Sequence, residues 1–233
     1  MKHFILWVAL FLPLGASATD TLNIRLYRHA LEAPETRNVP SLVTYLVEAA
    51  RTKQERAEVI FYWITSHIAY DLSSQEYSTY AHVAAETTLR RRKTICSGYT
   101  QLYATMASYA GLQCRTIIGY TTTPYQSGSH AWNAVLLDNR WRLVDATWGS
   151  GGTVAGTATF VQQLDLRYLF ADPDFLLTTH LPNDSRWQLA ANPINLGIFR
   201  GQLWQRKREV LYQDEAYLAF SQRTALLLEK NLN

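Results

Sequence analysis

The stretch from His130 to Thr147 constrains the fold of this chain more than any other. Two strand-like runs, Ala131 to Leu137 and Arg140 to Thr147, flank the pair Asp138-Asn139. Asp and Asn tolerate left-handed backbone, so this pair predicts a two-residue hairpin loop. Such a loop sets the register: Leu137 faces Arg140, Trp132 faces Asp145 and His130 faces Thr147. Side chains alternate along a strand, so His130 and Asp145 fall on one face as diagonal neighbours, about 7–8 Å apart at the backbone. A slip of one residue would put them on opposite faces.

A second local signal lies upstream. After Cys96, the residues Tyr99, Leu102, Tyr103, Met106 and Ala110 recur at helical spacing, and Gly111 stops the run. Cys96 is therefore expected at or just before a helix N-terminus. The free amides and positive dipole end there favour an anion, and hence a thiolate. The Cys96 amide is also placed to donate to an oxyanion during acyl transfer. Cysteine, histidine and aspartate together read as a thiol nucleophile, its general base and the group that orients the base. Each also has a plainer reading: a buried Cys is commonly a small hydrophobe, a strand His is commonly structural, and an Asp at a strand end is commonly a turn or cap residue.

The motifs decide between these readings by resemblance. Cys96-Ser97-Gly98-Tyr99, His130-Ala131-Trp132-Asn133 and Val144-Asp145-Ala146-Thr147-Trp148-Gly149 resemble the core of the transglutaminase-like superfamily, which groups with the papain-related cysteine enzymes. Trp63-Ile64 and Ile68-Ala69-Tyr70-Asp71 upstream also match. So do Phe175-Leu176, His180-Leu181-Pro182-Asn183-Asp184 and Trp187-Gln188-Leu189 downstream, a segment most similar to the branch of kyphoscoliosis peptidase. The resemblance implies an α+β, papain-like fold in which a helix bearing Cys96 packs on an antiparallel sheet bearing His130 and Asp145. It implies a cysteine enzyme that acts on protein or peptide amides through a Cys96–His130–Asp145 triad and a thioester. Hydrolysis, as a peptidase or amidase, is the preferred outcome. Acyl transfer to a lysine amine and a non-catalytic scaffold are the alternatives. Trp132 and Trp148 are the candidate substrate-contact residues. Papain-type enzymes carry a Gln six residues before the cysteine, and this chain has Arg90 there. The second oxyanion donor is therefore not legible.

The remaining segments set the context. Lys2-His3, the apolar run Phe4 to Leu14 and Ala16-Ser17-Ala18 read as a secretory signal peptide over 1–18, which places the protein in a secreted or periplasmic setting. No later run is apolar and long enough for a spanning helix, so no membrane anchor is expected. Removal of Lys2 with the leader lowers the formal charge from +3 to +2, which is near neutral and argues for neither nucleic acid nor membrane as the main partner. The expected division is a signal peptide (1–18), a polar lead-in and helix (19–54), the transglutaminase-like domain (55–196) and a C-terminal helical extension (197–233). Within it, Thr19 to Asn38 reads as irregular, and Thr52 to Glu55 as a capping box before a helix with an apolar stripe from Val59 to Ile68.

Two cysteines in an exported chain suggest a disulfide. However, a helix from 97 to 110 is about 21 Å long, and a disulfide needs Cα atoms within about 7 Å. Cys96 is therefore expected free, and Cys114 a buried strand residue. No Cys or His pair has metal-ligand spacing, and no cofactor is expected. His180 is read as structural, with neither a following strand nor a nearby partner. The basic run Arg90 to Lys93 is either a solvated patch or a local positive potential beside Cys96.

Overall fold

The structure is a computed structural model and describes residues 22–73, 83–122, 127–153 and 159–201. The expected signal peptide and nearly all of the C-terminal extension, including its expected helix, lie outside the described residues.

The chain begins with three helices, α1 (Ile24–Leu31), α2 (Val39–Glu48) and α3 (Lys53–His67). Each is capped by the residue before it: Asn23, Asn38 and Thr52 accept first-turn amides. α1 corrects the expectation of an irregular lead-in. Leu26, Tyr27 and Ala30 are buried on one face, and the Asn23 amide donates to the Tyr62 hydroxyl of α3. That apolar face is only three residues wide and is hidden among Arg and His, so α1 depends on α3 for its existence. α3 itself is buried on nearly every side from Ala57 to Thr65, not along a single stripe, because α1, α2 and the next long helix all pack against it.

Then come β1 (Ala69–Tyr70), α4 (Ala85–Arg91) and β2 (Lys93–Thr94), with β1 and β2 paired in parallel. β2 leads directly into α5 (Cys96–Tyr109). The sheet follows: β3 (Cys114–Thr122), β4 (Ser127–Leu137) and β5 (Arg140–Val144), then the short helix α6 (Ala146–Gly149) and a two-stranded ribbon, β6 (Gly151–Thr153) with β7 (Phe160–Gln162). β8 (Leu169–Ala171), helix α7 (Pro173–Leu176) and β9 (His180–Pro182) follow, with short 3-10 helices at Leu166–Tyr168 and Ser185–Gln188. The main sheet is antiparallel in the order β8-β5-β4-β3-β9, with α5 packed on β4 and β3.

The β4–β5 register matches the expected one as far as the ladder runs, from Leu137↔Arg140 to Asn133↔Val144. Asp138 and Asn139 both have positive φ, 48° and 61°, the backbone of a type I′ turn. The ladder ends earlier than expected. Asp145 leaves β5, and Thr147, expected opposite His130 on the strand, sits in α6. The cause is chemical: the Asp145 carboxylate captures the amides of Thr147 and Trp148 at 2.8 and 3.0 Å, which turns the chain into a helix instead of extending the strand.

β9 approaches β3 closely at Gly119. A Cβ there would lie 2.2 Å from the Leu181 carbonyl and 2.7 Å from the Trp132 ring. Glycine at this point lets β9 seat against β3, with Thr121↔His180 and Gly119↔Pro182 in register.

Candidate active site

Cys96 is the first residue of α5 and is almost fully buried. The residue before it, Ile95, offers no side-chain cap, so the anion-favouring end of the helix is left to Cys96 and whatever meets it. The Thr100 hydroxyl lies 2.8 Å from the Cys96 carbonyl and 3.0 Å from that of Ala131. It thereby ties the first turn of α5 to β4 one residue from His130.

His130 reaches Asp145 through Nε2, 2.7 Å from Oδ2, and is also hydrogen-bonded to the Cys96 side chain. With Nε2 committed, Nδ1 is the nitrogen that serves Cys96. Both Asp145 oxygens are occupied. Oδ1 accepts the two α6 amides, and Oδ2 accepts from His130 and from His180, the latter through Nε2 at 3.0 Å. The structure therefore brings Cys96, His130 and Asp145 into one connected cluster and adds His180 to it.

Electrostatics follow from burial and these contacts. Burial alone would push the His130 pKa down, but the charge and hydrogen bond of Asp145, together with Cys96, outweigh it and raise it. Burial would raise the Asp145 carboxyl, yet His130 and His180 hold it well below the usual carboxylate range. For His180 burial wins over its Asp145 contact and lowers it to about 4. His180 is thus neutral near pH 7, whereas the unfolded residue titrates at about 6.5.

A stability prediction follows. Below about pH 6.5 the unfolded chain takes up a proton at His180 that the folded chain refuses until about pH 4. Folding stability therefore falls as pH drops through this window, by at most about 3 kcal/mol. His130 has the opposite sense, because its contribution is present below about pH 6.5 and is lost as pH rises toward its raised folded value. Thermal melts between pH 7 and 4 should show the acid loss, and His180→Leu should flatten it.

His180 corrects the sequence expectation twice over: it opens β9 and has a direct partner in Asp145. Its placement depends on β3–β9 pairing across some 60 residues of chain, and the only local hint is the β-branched pair Thr178-Thr179 before it. Trp132 is also corrected. It is only 1 % exposed and lies between His130 and His180, with ring centroids 6.0 and 5.2 Å away; it packs the site and presents no face to a substrate. Trp148 is half-buried and meets His180 edge-on at 4.5 Å. Arg90 is exposed on α4. Two members of the basic run are already paired. Arg92 reaches Glu35 at 3.0 Å and lies over the Trp63 ring, and Lys93 reaches Asp71 at 3.1 Å.

Both cysteines are free. Cys114 opens β3 half-buried, where burial pushes its thiol up to about 12. His130, Asp145 and His180 bring three metal-ligand-type atoms within 4.8 Å of one another. Each of these atoms already shares a proton with another of the three, so the cluster is a hydrogen-bond relay and not an open ligand set. None of the described helices is long and apolar enough to cross a membrane.

The chain is similar to known proteins. The family model described as the transglutaminase-like superfamily matches residues 40–146. Human kyphoscoliosis peptidase is 34% identical over 186 residues, 76% of this chain and 28% of that protein. The mouse protein of the same name is 35% identical over 71% of this chain and 26% of its own length. Drosophila melanogaster Hillarin is 30% identical over 68% of this chain and 21% of its own. The chain thus spans between about a fifth and a little over a quarter of the length of these relatives. A transglutaminase-like superfamily domain thus occupies residues 40–146, and the chain is similar to kyphoscoliosis peptidase over most of its own length.

Proposed function

We propose that this protein is a cysteine peptidase or amidase acting on protein or peptide amides, with Cys96 as nucleophile, His130 as general base and acid, and Asp145 as the orienting carboxylate. The observation that carries the reading is the single imidazole of His130, joined to the Cys96 thiol on one side and to the Asp145 carboxylate on the other. The thiol proton passes to His130 Nδ1, and the sulfur attacks the amide carbonyl carbon to form a C–S bond. The Cys96 amide, at the uncapped start of α5, faces the developing oxyanion. The intermediate collapses as the C–N bond breaks, and His130 returns the proton to the leaving amine. Water, deprotonated by His130, then hydrolyses the thioester and restores the thiol. Asp145 stabilises the imidazolium throughout without taking its proton.

Hydrolysis is preferred over transfer because the mammalian relatives are named peptidases. The leader-like start, Met1 to Ala18, supports a place of action outside the cytosol.

The test is to incubate the purified chain with a peptide library and a primary amine, following cleavage and amine incorporation separately. Cleavage without incorporation is expected. Incorporation would identify a protein-glutamine acyltransferase. Neither product, from a folded protein whose Cys96 resists alkylation, would identify a binding module.

A further inference from the structure

We propose that His180 is a positioning residue for this site: its Nε2–H pins the Asp145 carboxylate in the orientation that receives His130. The inference rests on the reading of Cys96, His130 and Asp145 given above. The Asp145 carboxylate is clamped from two unconnected parts of the fold. The α6 amides hold Oδ1. His180, on β9 at the opposite edge of the sheet from β8, holds Oδ2 at 3.0 Å beside the 2.7 Å bond to His130. Without the β9 side of the clamp, Oδ2 is held by His130 alone, and the carboxylate can tilt on its Oδ1 anchor away from the His130 proton.

The chemistry of His180 fits this task. An ionised Asp145 carries no proton, so the proton shared between them sits on His180 Nε2. Nδ1 is then an acceptor, and the Thr179 hydroxyl, 2.8 Å from it, can donate to it. His180 is fully buried and its pKa is lowered, so it supplies a donor without a second positive charge next to His130, whose ring centroid is 5.3 Å away. The ionisable groups around it are Asp145, His130 and the ring of Tyr168, with Cys96 beyond His130. Were His180 only filling the space between Trp132 and Trp148, an apolar side chain would serve as well.

The experiment reads Cys96 alone, through its rate of alkylation by iodoacetamide in the full chain, with mass spectrometry of peptides separating it from Cys114. The quantity is the ratio of the rate at pH 6 to that at pH 9, which reports how much thiolate the imidazolium sustains in mild acid. In His180→Leu this ratio should fall about tenfold. His180→Gln, whose amide can donate from a similar distance, should recover it to within about twofold of the parent. In an Asp145→Ala background His180→Leu should add nothing, because it acts through that carboxylate. An unchanged ratio in His180→Leu, an equal loss in His180→Gln, or losses that add with Asp145→Ala would overturn the proposal. Should His180→Leu not fold, His180→Met, which likewise lacks a donor, carries the test: the ratio falls about tenfold if the Nε2–H matters, and an unchanged ratio rejects the proposal. A parent protein whose Cys96 reacts at pH 6 no faster than an ordinary thiol would instead sink the triad, and this proposal with it.

Discussion

Asp145→Ala is expected to reduce activity by about 10³–10⁴-fold and to destabilise the fold by about 3–5 kcal/mol. Few single side chains in this protein hold so much. Asp145 caps α6 through two amides, and the loss of a cap costs about 1 kcal/mol. The larger share comes from the two buried imidazoles, which lose their common acceptor and keep polar nitrogens in an environment without water. His130 then also loses the charge that raises its pKa. Asp145→Asn should separate the two effects. Its Oδ1 can still accept the α6 amides, while its amide nitrogen opposes the donors on both imidazoles. Chemical denaturation should therefore show a smaller stability loss for Asn than for Ala, with activity low in both. Equal stability of Asp145→Ala and the parent would contradict this account of the carboxylate.

Cys96→Ala is expected to lose all thioester formation, leaving activity at background, with a stability change of no more than about 1 kcal/mol. No other side chain in the cluster can form the acyl intermediate, and the second thiol, Cys114, lies at the start of β3 beyond the far end of α5, with burial holding it protonated. Alanine keeps the helix start, since Ile95 supplies no side-chain cap to disturb. The Thr100 contacts to the Cys96 and Ala131 carbonyls are also preserved, because they involve the backbone. Intact-mass spectrometry with an activated acyl substrate would detect the acyl adduct on the parent and none on Cys96→Ala. An adduct on the variant would move the nucleophile elsewhere.

These two residues differ in how far they could be read without the fold. The position of Cys96 at a helix start follows from spacing over a dozen residues and a terminating glycine, both short-range. The facing of His130 and Asp145 follows from a two-residue turn, because side-chain alternation carries the phase of Asp138-Asn139 along both strands. Up to Val144 nothing outside the hairpin is needed. At Asp145 a side-chain-to-backbone hydrogen bond competes with the ladder, and strand-like residues such as Val144 and Thr147 do not reveal which will win.

The sequence by itself determined the hairpin register, the helix behind Cys96 and the motif order that marks the superfamily, because each is written in residues close together along the chain. Tertiary structure alone decided three things. α1 is a helix because α3 offers Tyr62 and a buried face to it. Trp132 is sealed from solvent because β9 closes over it at Gly119. His180 meets Asp145 because a three-residue strand pairs with β3 from far along the chain. Such a short strand has no periodicity to detect, and its place is set by backbone hydrogen bonds and by the absence of one Cβ on its neighbour.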